Sequence, residues 1–233
     1  MALLPQLVAS TKYRTTEAEQ RVWFTSQNRR LGASLKRSFD VTAALTALLL
    51  LLPLFILIAI LVRAYDGGPA LYRHRRLGRG QTSFGCLKFR TMREDSHQAL
   101  QDYLNRNPTA LAEWEQTQKL RNDPRITPVG AILRKTSLDE LPQLFNILRG
   151  EMSVVGPRPI VEAEVEKYGP DAAAYFAVRP GLTGAWQVSG RSDTSYAERV
   201  CLDRTYVESQ SFGKDMVIIL RTIPAVFFTR GSY

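Results

Sequence analysis

VTAALTALLLLLPLFILIAILV, residues 41–62, runs for 22 residues without a charge. As a helix it is about 33 Å long, enough to cross the hydrocarbon core of a bilayer. It begins forty residues into the chain and lacks a small-residue cleavage site at its end, so it does not read as a secretory signal. The simplest reading is a spanning anchor, and two features argue against it. Pro53 divides the run into 12 and 9 residues, about 18 Å and 14 Å of helix. Its ring removes one backbone donor and crowds the carbonyl of Leu49, at a cost of about 3 kcal/mol in a straight helix, so a kink is expected. The second feature is charge. Lys36 and Arg37 precede the run; Arg63, Arg73, Arg75, Arg76 and Arg79 follow it. Short flanks rich in Lys and Arg stay cytoplasmic, and here both ends claim that side. On these residues alone a re-entrant helix over residues 36–65, hinged at Leu52 and Pro53, and a straight span both stay open.

The 233 residues are 45% hydrophobic and 23% charged, enough for one domain with its own core plus an anchor. A net charge of +9 calls for an anionic partner: phosphate esters, acidic lipid or nucleic acid. Cys86 and Cys201 are the only cysteines and have no Cys-x-x-Cys spacing. Neither a disulfide framework nor a zinc site is indicated, and a reducing cytoplasm fits. Two histidines, His74 and His97, leave little room for a histidine-based triad.

Residues 1–35 are polar and lack periodicity, so they read as a loosely ordered tail with room for a short helix over 16–28. Residues 66–233 are expected to form one cytoplasmic domain with interfacial helices, the part in which any catalytic site would lie. Between 67 and 93 there are seven Lys or Arg and no Asp or Glu, with Gly78, Gly80 and Gly85 punctuating strand-like pieces such as FGCLKFRTM, 84–92. That stretch can lie on anionic headgroups, or point Lys88 and Arg90 inward to a pyrophosphate. Residues 94–121 read as amphipathic helix broken near Asn107-Pro108, with Leu100, Leu104, Leu111 and Trp114 on one apolar stripe. RNDPRITPVG, 121–130, reads as loop, 138–148 as helix and 153–155 as a short strand. RPGLTGAWQVSGR, 179–191, is a turn-rich loop, and 216–228 an interfacial helix too short and interrupted to span.

The chemistry concentrates in ILRKTSLDELPQLFNILRGEMSVVGPRP, 132–159. Ser137-x-x-Glu140 matches a capping box, in which Glu140 would only hold a helix start. Pro142 has no N–H and must lie close to that start. On either register Asp139 and Glu140 occupy the cap or first turn, where exposed N–H groups and the helix dipole favour an ionised carboxylate and a phosphate oxygen. Carboxylates can act as covalent nucleophiles toward phosphorus. An anionic pyrophosphate repels them unless cations intervene, and Mg²⁺ on carboxylate and phosphate oxygens is the usual device. Arg134, Arg158 and Arg179 are candidates for bidentate phosphate grips; the last two precede proline, which confines them to extended backbone.

KRSFD at 36–40, KFRTM at 88–92, LRKTSLDELPQLFNILRGEMSVVGPRP at 133–159 and RPGLTGAWQVSGR at 179–191 occur in that order. Together they resemble the bacterial sugar transferase family, the monotopic polyprenyl-phosphate glycosyl-1-phosphate transferases. With RTIPAV at 221–226 and the closing RGSY, the chain is most similar to members that transfer galactosyl phosphate at the start of succinoglycan-type exopolysaccharide. The resemblance implies an α+β fold: a small membrane-anchored domain, mainly helical with short strands, one N-terminal re-entrant membrane helix and interfacial amphipathic helices. It implies that a UDP-sugar, UDP-galactose or alternatively UDP-glucose, gives its sugar-1-phosphate to undecaprenyl phosphate at the cytoplasmic face of the bacterial inner membrane. Asp139 carries over as the nucleophile and Glu140 as its partner, both near Mg²⁺. Arg134 and Arg158 carry over as phosphate ligands. Inner-membrane lipid is an implied partner, nucleic acid is not, and a homo-oligomer is compatible. Members with extra N-terminal membrane helices are larger; this chain resembles the minimal catalytic form. Many members place Ser before the helix-breaking proline, where this chain has Leu52, which supplies no hydroxyl for the freed carbonyls.

Two rivals use the same features. A non-enzymatic adaptor would bind anionic lipid through residues 67–93, with salt-dependent affinity. A hydrolase would cleave UDP-sugars with water as acceptor.

Overall fold

The computed structural model describes residues 27–117, 120–189 and 195–228. The tail before residue 27, most of the short helix expected over 16–28 and the closing RGSY lie outside the described residues. The fold is mostly helical with a few short strands, and its first element is one long apolar helix, α1 (Gln27–Asp66). This helix starts at Gln27 rather than at 36, so residues 27–35 are helical and not loose tail. Pro53 lies inside it. By length and composition α1 is the one helix among the described residues able to cross a membrane.

α1 is not a detached anchor. Ala44, Phe55, Ile58 and Val62 are buried and belong to the main core. At the helix's near end the Lys36 ammonium lies 2.7 Å from Asp215, and the carboxylate of buried Asp40 accepts from the Val154 N–H at 3.0 Å. At its far end Asp66 accepts from both terminal nitrogens of Arg90. The other face is bare: Leu49, Leu50, Ile56 and Ile60 are each more than half exposed. An apolar stripe of that length with no protein partner is suited to lipid.

After α1 the chain forms a hairpin of β1 (Leu71–Leu77) and β2 (Ser83–Phe89), paired antiparallel with Tyr72 opposite Lys88. Gly80 and Gln81 turn it with φ of 64° and 63°, the consecutive left-handed pair that a tight hairpin turn needs to match strand twist. α2 (Ser96–Arg106) and α3 (Pro108–Thr117) follow, split at Asn107 as Pro108 requires. They build a small satellite core around Leu100, Ala110 and Leu120, with Leu104 and Trp114 packed on it. Leu111 is not part of that stripe; it is 40% exposed, and Ala110 takes the inward position.

Residues 121–127 are not a free loop. The Arg93 N–H donates to Arg125 O at 2.8 Å and the Thr127 N–H to Thr91 O at 3.0 Å, so the segment lies along the strand exit. α4 (Pro128–Thr136) begins there, with the Thr127 hydroxyl accepting from the Gly130 N–H. Gly130 is obligatory, since a Cβ would meet Thr91 O at 2.0 Å.

The helix expected over 138–148 is two pieces. Leu138–Glu140 is a turn of 3₁₀ helix, and α5 (Gln143–Arg149) begins after Pro142. The capping box at Ser137 does not form. Ser137 has φ 57°, closes α4 in the left-handed conformation, and makes no side-chain cap. A residue that ends one helix cannot also hold the extended backbone of an N-cap.

β3 (Ser153–Val155) and β4 (Gly181–Thr183) pair in parallel, so the segment 179–191 contributes a strand as well as turns. Short helices α6 (Val165–Tyr168) and α7 (Ala172–Ala177) join α8 (Tyr196–Glu208) in a second core. The last element, α9 (Phe212–Phe228), buries Asp215 and Ile218 and exposes Val217, Leu220 and Ile223.

Candidate active site

Asp139 and Glu140 project from the 3₁₀ turn between α4 and α5, and Lys88 comes to them from β2. The Lys88 ammonium lies 2.7 Å from Glu140 Oε1 and 3.6 Å from Asp139 Oδ2. Arg158, fixed between Pro157 and Pro159, donates to the same Glu140 oxygen at 3.3 Å. Asn146 sets this arrangement. It is fully buried on α5; its side-chain oxygen accepts from the Leu87 N–H at 2.9 Å and its amide donates to Gly85 O at 2.8 Å. Those are free-edge groups of β2, so the amide ties the Lys88 strand to the carboxylate turn.

The two carboxyls are driven apart. Burial raises the Asp139 carboxyl above its usual value, Lys88 and Arg134 oppose that, and the charge of Glu140 adds to it. For Glu140 burial also acts upward, but Arg158 and Lys88 overcome it and hold the group down to about 2. One member of the pair is thus a fixed anion, while the other sits closer to its protonated form.

Arg134 is near enough to feel Asp139, which works against the lowering that burial imposes on its guanidinium. Its Nε donates to Thr91 at 2.9 Å. Arg90 and Arg179 are held elsewhere. Arg90 grips Asp66 at the end of α1. Arg179 Nε donates to Gly150 O at 2.7 Å, beside Arg37, whose terminal nitrogens donate to the carbonyls of Ile147 and Leu148. Both arginines thus serve the C-terminal end of α5, where carbonyls lack helical partners. At the proposed hinge Leu52 is 52% exposed.

Sequence reasoning missed several residues of the cleft. Its walls include Arg76, Cys86, Lys88, Glu140, Gln143 and Arg158; Asp139 stands just behind, reached through Lys88. Arg76 donates to Pro159 O at 3.2 Å and to Glu164 at 3.4 Å, and Glu164 also accepts from Arg199 at 3.4 Å. Arg158 and Arg199 both lie over the Trp186 indole, at 5.9 and 4.8 Å. Arg76 belonged to an undifferentiated run of basic residues, and its only distinguishing signal was strand alternation, which sets it on the same face as His74. Cys86 is buried, and its thiol is pushed up to about 11 by that burial; it acts as wall, not nucleophile.

Asp139 and Glu140 are the carboxylates at the cleft that a divalent cation would need, with substrate completing its shell. Among the described residues no cluster of three or more His, Cys, Asp or Glu could cage a metal. Mg²⁺ is usually held by one or two carboxylates plus phosphate oxygens, and Asp139 and Glu140 supply that pair. The Lys88 ammonium bridges the same two carboxylates, so a divalent cation bound there would have to displace it or share the pair with it.

The fold thus carries one helix apolar enough to cross a membrane and a carboxylate pair under two cations. The bacterial sugar transferase family matches residues 31–229, and the chain belongs to that family. The exopolysaccharide production protein ExoY of Rhizobium meliloti (strain 1021) is 58% identical over 209 residues, covering 90% of this chain and 92% of that protein. A UDP-galactose-lipid carrier transferase of Erwinia amylovora is 50% identical, over 85% of this chain and 42% of its own length. The undecaprenyl-phosphate galactose phosphotransferase of Salmonella typhimurium (strain LT2) is 48% identical, over 88% of this chain and 43% of its own length. The chain is accordingly a transferase.

Proposed function

We propose that this transferase moves galactose-1-phosphate from UDP-galactose to undecaprenyl phosphate, the first membrane step of exopolysaccharide repeat-unit synthesis, with UDP-glucose as the alternative donor. The observation that carries the reading is the buried carboxylate pair under Lys88 and Arg158, opening on a cleft that also holds Arg76. Two relatives named for galactose transfer favour that sugar.

The residues suit a two-step exchange. Lys88 and Arg158 draw the donor's pyrophosphate toward the carboxylates, lowering the repulsion between anions. Asp139 attacks the sugar-bearing phosphorus; the bond to the UMP oxygen breaks, and UMP leaves with the electron pair. An oxygen of the lipid phosphate then attacks the same phosphorus, and the bond to Asp139 breaks, restoring the carboxylate. Glu140, the fixed anion, holds Lys88 and Arg158 in place. Mg²⁺, when bound by Glu140 and Asp139 with substrate phosphates, would neutralise phosphate charge.

The protein works at the cytoplasmic face of the inner membrane, with α1 entering and returning on one side. Both ends of α1 are bound by the same folded domain through charged groups, Lys36 and Asp40 at one end and Asp66 at the other. A straight span would part such ends by about 30 Å of hydrocarbon. A map of cysteine accessibility should put positions 30 and 70 on one face; opposite faces would leave an ordinary span.

The test of the chemistry is purified protein with UDP-galactose and Mg²⁺ but no lipid acceptor. About one equivalent of UMP should be released and labelled phosphosugar retained on Asp139. Asp139→Asn should abolish both, and a fully active Asp139→Asn variant would end the nucleophile assignment. Sustained UMP release without acceptor would point to hydrolysis.

A further inference from the structure

Gln143 is 3% exposed, yet its side chain lines the cleft beside Lys88, Glu140 and Arg158. Its amide makes no hydrogen bond to any described residue. Asn146, on the same short helix, is the contrast: it uses its amide on Leu87, Gly85 and Glu151. Gln143 is buried, but its amide is not among the polar atoms sealed from solvent, so the cleft itself, through a ligand or a water, serves it. Here the amide faces a cavity whose charged groups each have one hydrogen-bonding sense, and the other amide on its wall, Gln187, already donates to Leu182 O. Lys88, Arg76 and Arg158 only donate, and Glu140 only accepts. Phosphate oxygens, which only accept, are served by the cations. What remains for Gln143, which donates and accepts at once, is a group of the same dual character, such as a sugar hydroxyl.

Position selects between the dual-character groups of the donor. Gln143 follows Glu140 by three residues, a spacing of about 5–6 Å between Cβ atoms on a helical path. The sugar is bonded directly to the phosphate that the carboxylate pair addresses. The uracil is separated from it by a second phosphate and a ribose. We propose that Gln143 binds a hydroxyl of the transferred sugar, holding the hexose against the wall formed by Cys86 and Gln143. This assignment rests on the transferase reading above.

The experiment uses full-length protein in an Asp139→Asn background, so that binding is read without chemistry. Calorimetric titrations with UDP-galactose and with UDP compare that parent with Gln143→Met, which keeps length and removes the amide. The expected result is a loss of roughly three- to tenfold for UDP-galactose, the size of one neutral hydrogen bond, with UDP affinity changed less than about twofold. Gln143→Asn, which keeps the amide but shortens its reach, should lose in the same direction and is the gentler variant for folding. Equal loss for UDP and UDP-galactose, or no loss for either, overturns the assignment. A parent that binds neither nucleotide overturns the transferase reading of the cleft, and the Gln143 assignment falls with it.

Discussion

The ammonium of Lys88 lies 2.7 Å from Oε1 of Glu140. That contact joins a β-hairpin to a helix turn 52 residues away, and it separates two adjacent carboxyls into different chemical characters. Glu140 is committed to Lys88 and Arg158 and stays ionised throughout the working range. Asp139 receives only the longer contact of 3.6 Å and titrates higher. An anion already tied to two cations is a poor nucleophile, whereas a less firmly held carboxylate keeps a lone pair for phosphorus. On the proposed mechanism this asymmetry would assign the attack to Asp139 and the holding of the cations to Glu140.

The pH dependence of UMP release should report it. Asp139 must be ionised to attack, and burial raises its carboxyl, so the acid limb should lie above the ordinary aspartate range. Lys88→Met removes the nearby cation that opposes the rise. The limb should then move to higher pH, whatever happens to the plateau rate. Single-turnover UMP release across pH measures this; a limb that stays in place would detach Lys88 from Asp139.

Arg76 and Arg158 should differ in what they cost. Arg158→Ala removes a cation from Glu140 and a phosphate grip together, so KM for UDP-galactose should rise and kcat fall. Arg76 touches Pro159 O and Glu164 but neither carboxylate of the pair. Arg76→Ala should raise KM by about tenfold or more, the worth of one charge-assisted contact, and leave the acid limb where it was. Steady-state kinetics on both variants separate the two outcomes; unchanged KM in Arg76→Ala would remove it from substrate binding.

Asp203, on α8, gives a stability prediction. Burial raises its carboxyl to about 6, against the Tyr168 hydroxyl, which donates to it at 2.8 Å, and the charge of Arg199. Between the ordinary aspartate value and 6 the folded protein holds a proton that the unfolded chain has released, so stability falls as pH rises through that window. Asp203→Asn cannot ionise and can still accept from Tyr168. Its Tm relative to wild type should therefore be several degrees more favourable at about pH 7.5 than at about pH 4. A difference independent of pH would show that Asp203 is not the titrating group.

The local signals that were legible in the chain are those whose cause is local. The apolar run, the break at Asn107-Pro108 and the strand at 153–155 follow from hydropathy, proline sterics and β-branched residues. What failed were readings that depend on long-range partners. Nothing around Ser137 says that α4 will claim it as a left-handed terminus. Asn146 looks like any polar residue on a short helix until β2 brings its free edge to it. The run of cations at 73–93 is uniform in sequence, yet the fold distributes it: Lys88 and Arg76 to the cleft, Arg90 to the end of α1. Charge type was readable; destination was not, because each destination lies on another element.

Arg90 shows what that distribution predicts. A phosphate ligand would keep its guanidinium free for the donor. Here both terminal nitrogens are spent on Asp66, whose oxygens also accept from the N–H groups of Gly68 and Glu94. The pair locks the exit of α1 to the strand that carries Lys88 two residues earlier. Removing Asp66 leaves the buried Arg90 guanidinium without its partner, and removing Arg90 frees an exposed carboxylate, so both Arg90→Ala and Asp66→Ala should lower stability, Asp66→Ala through the stranded charge. In a double-mutant cycle they should couple by about 0.5–3 kcal/mol. Arg90→Lys cannot supply the two-pronged contact and should resemble Arg90→Ala. If Arg90 instead served substrate, its loss would weaken UDP-galactose binding while Asp66→Ala would not, and the two would show no coupling. Urea melts of the four proteins, read beside UDP-galactose titrations, distinguish a strut that positions the membrane helix from a ligand of the donor.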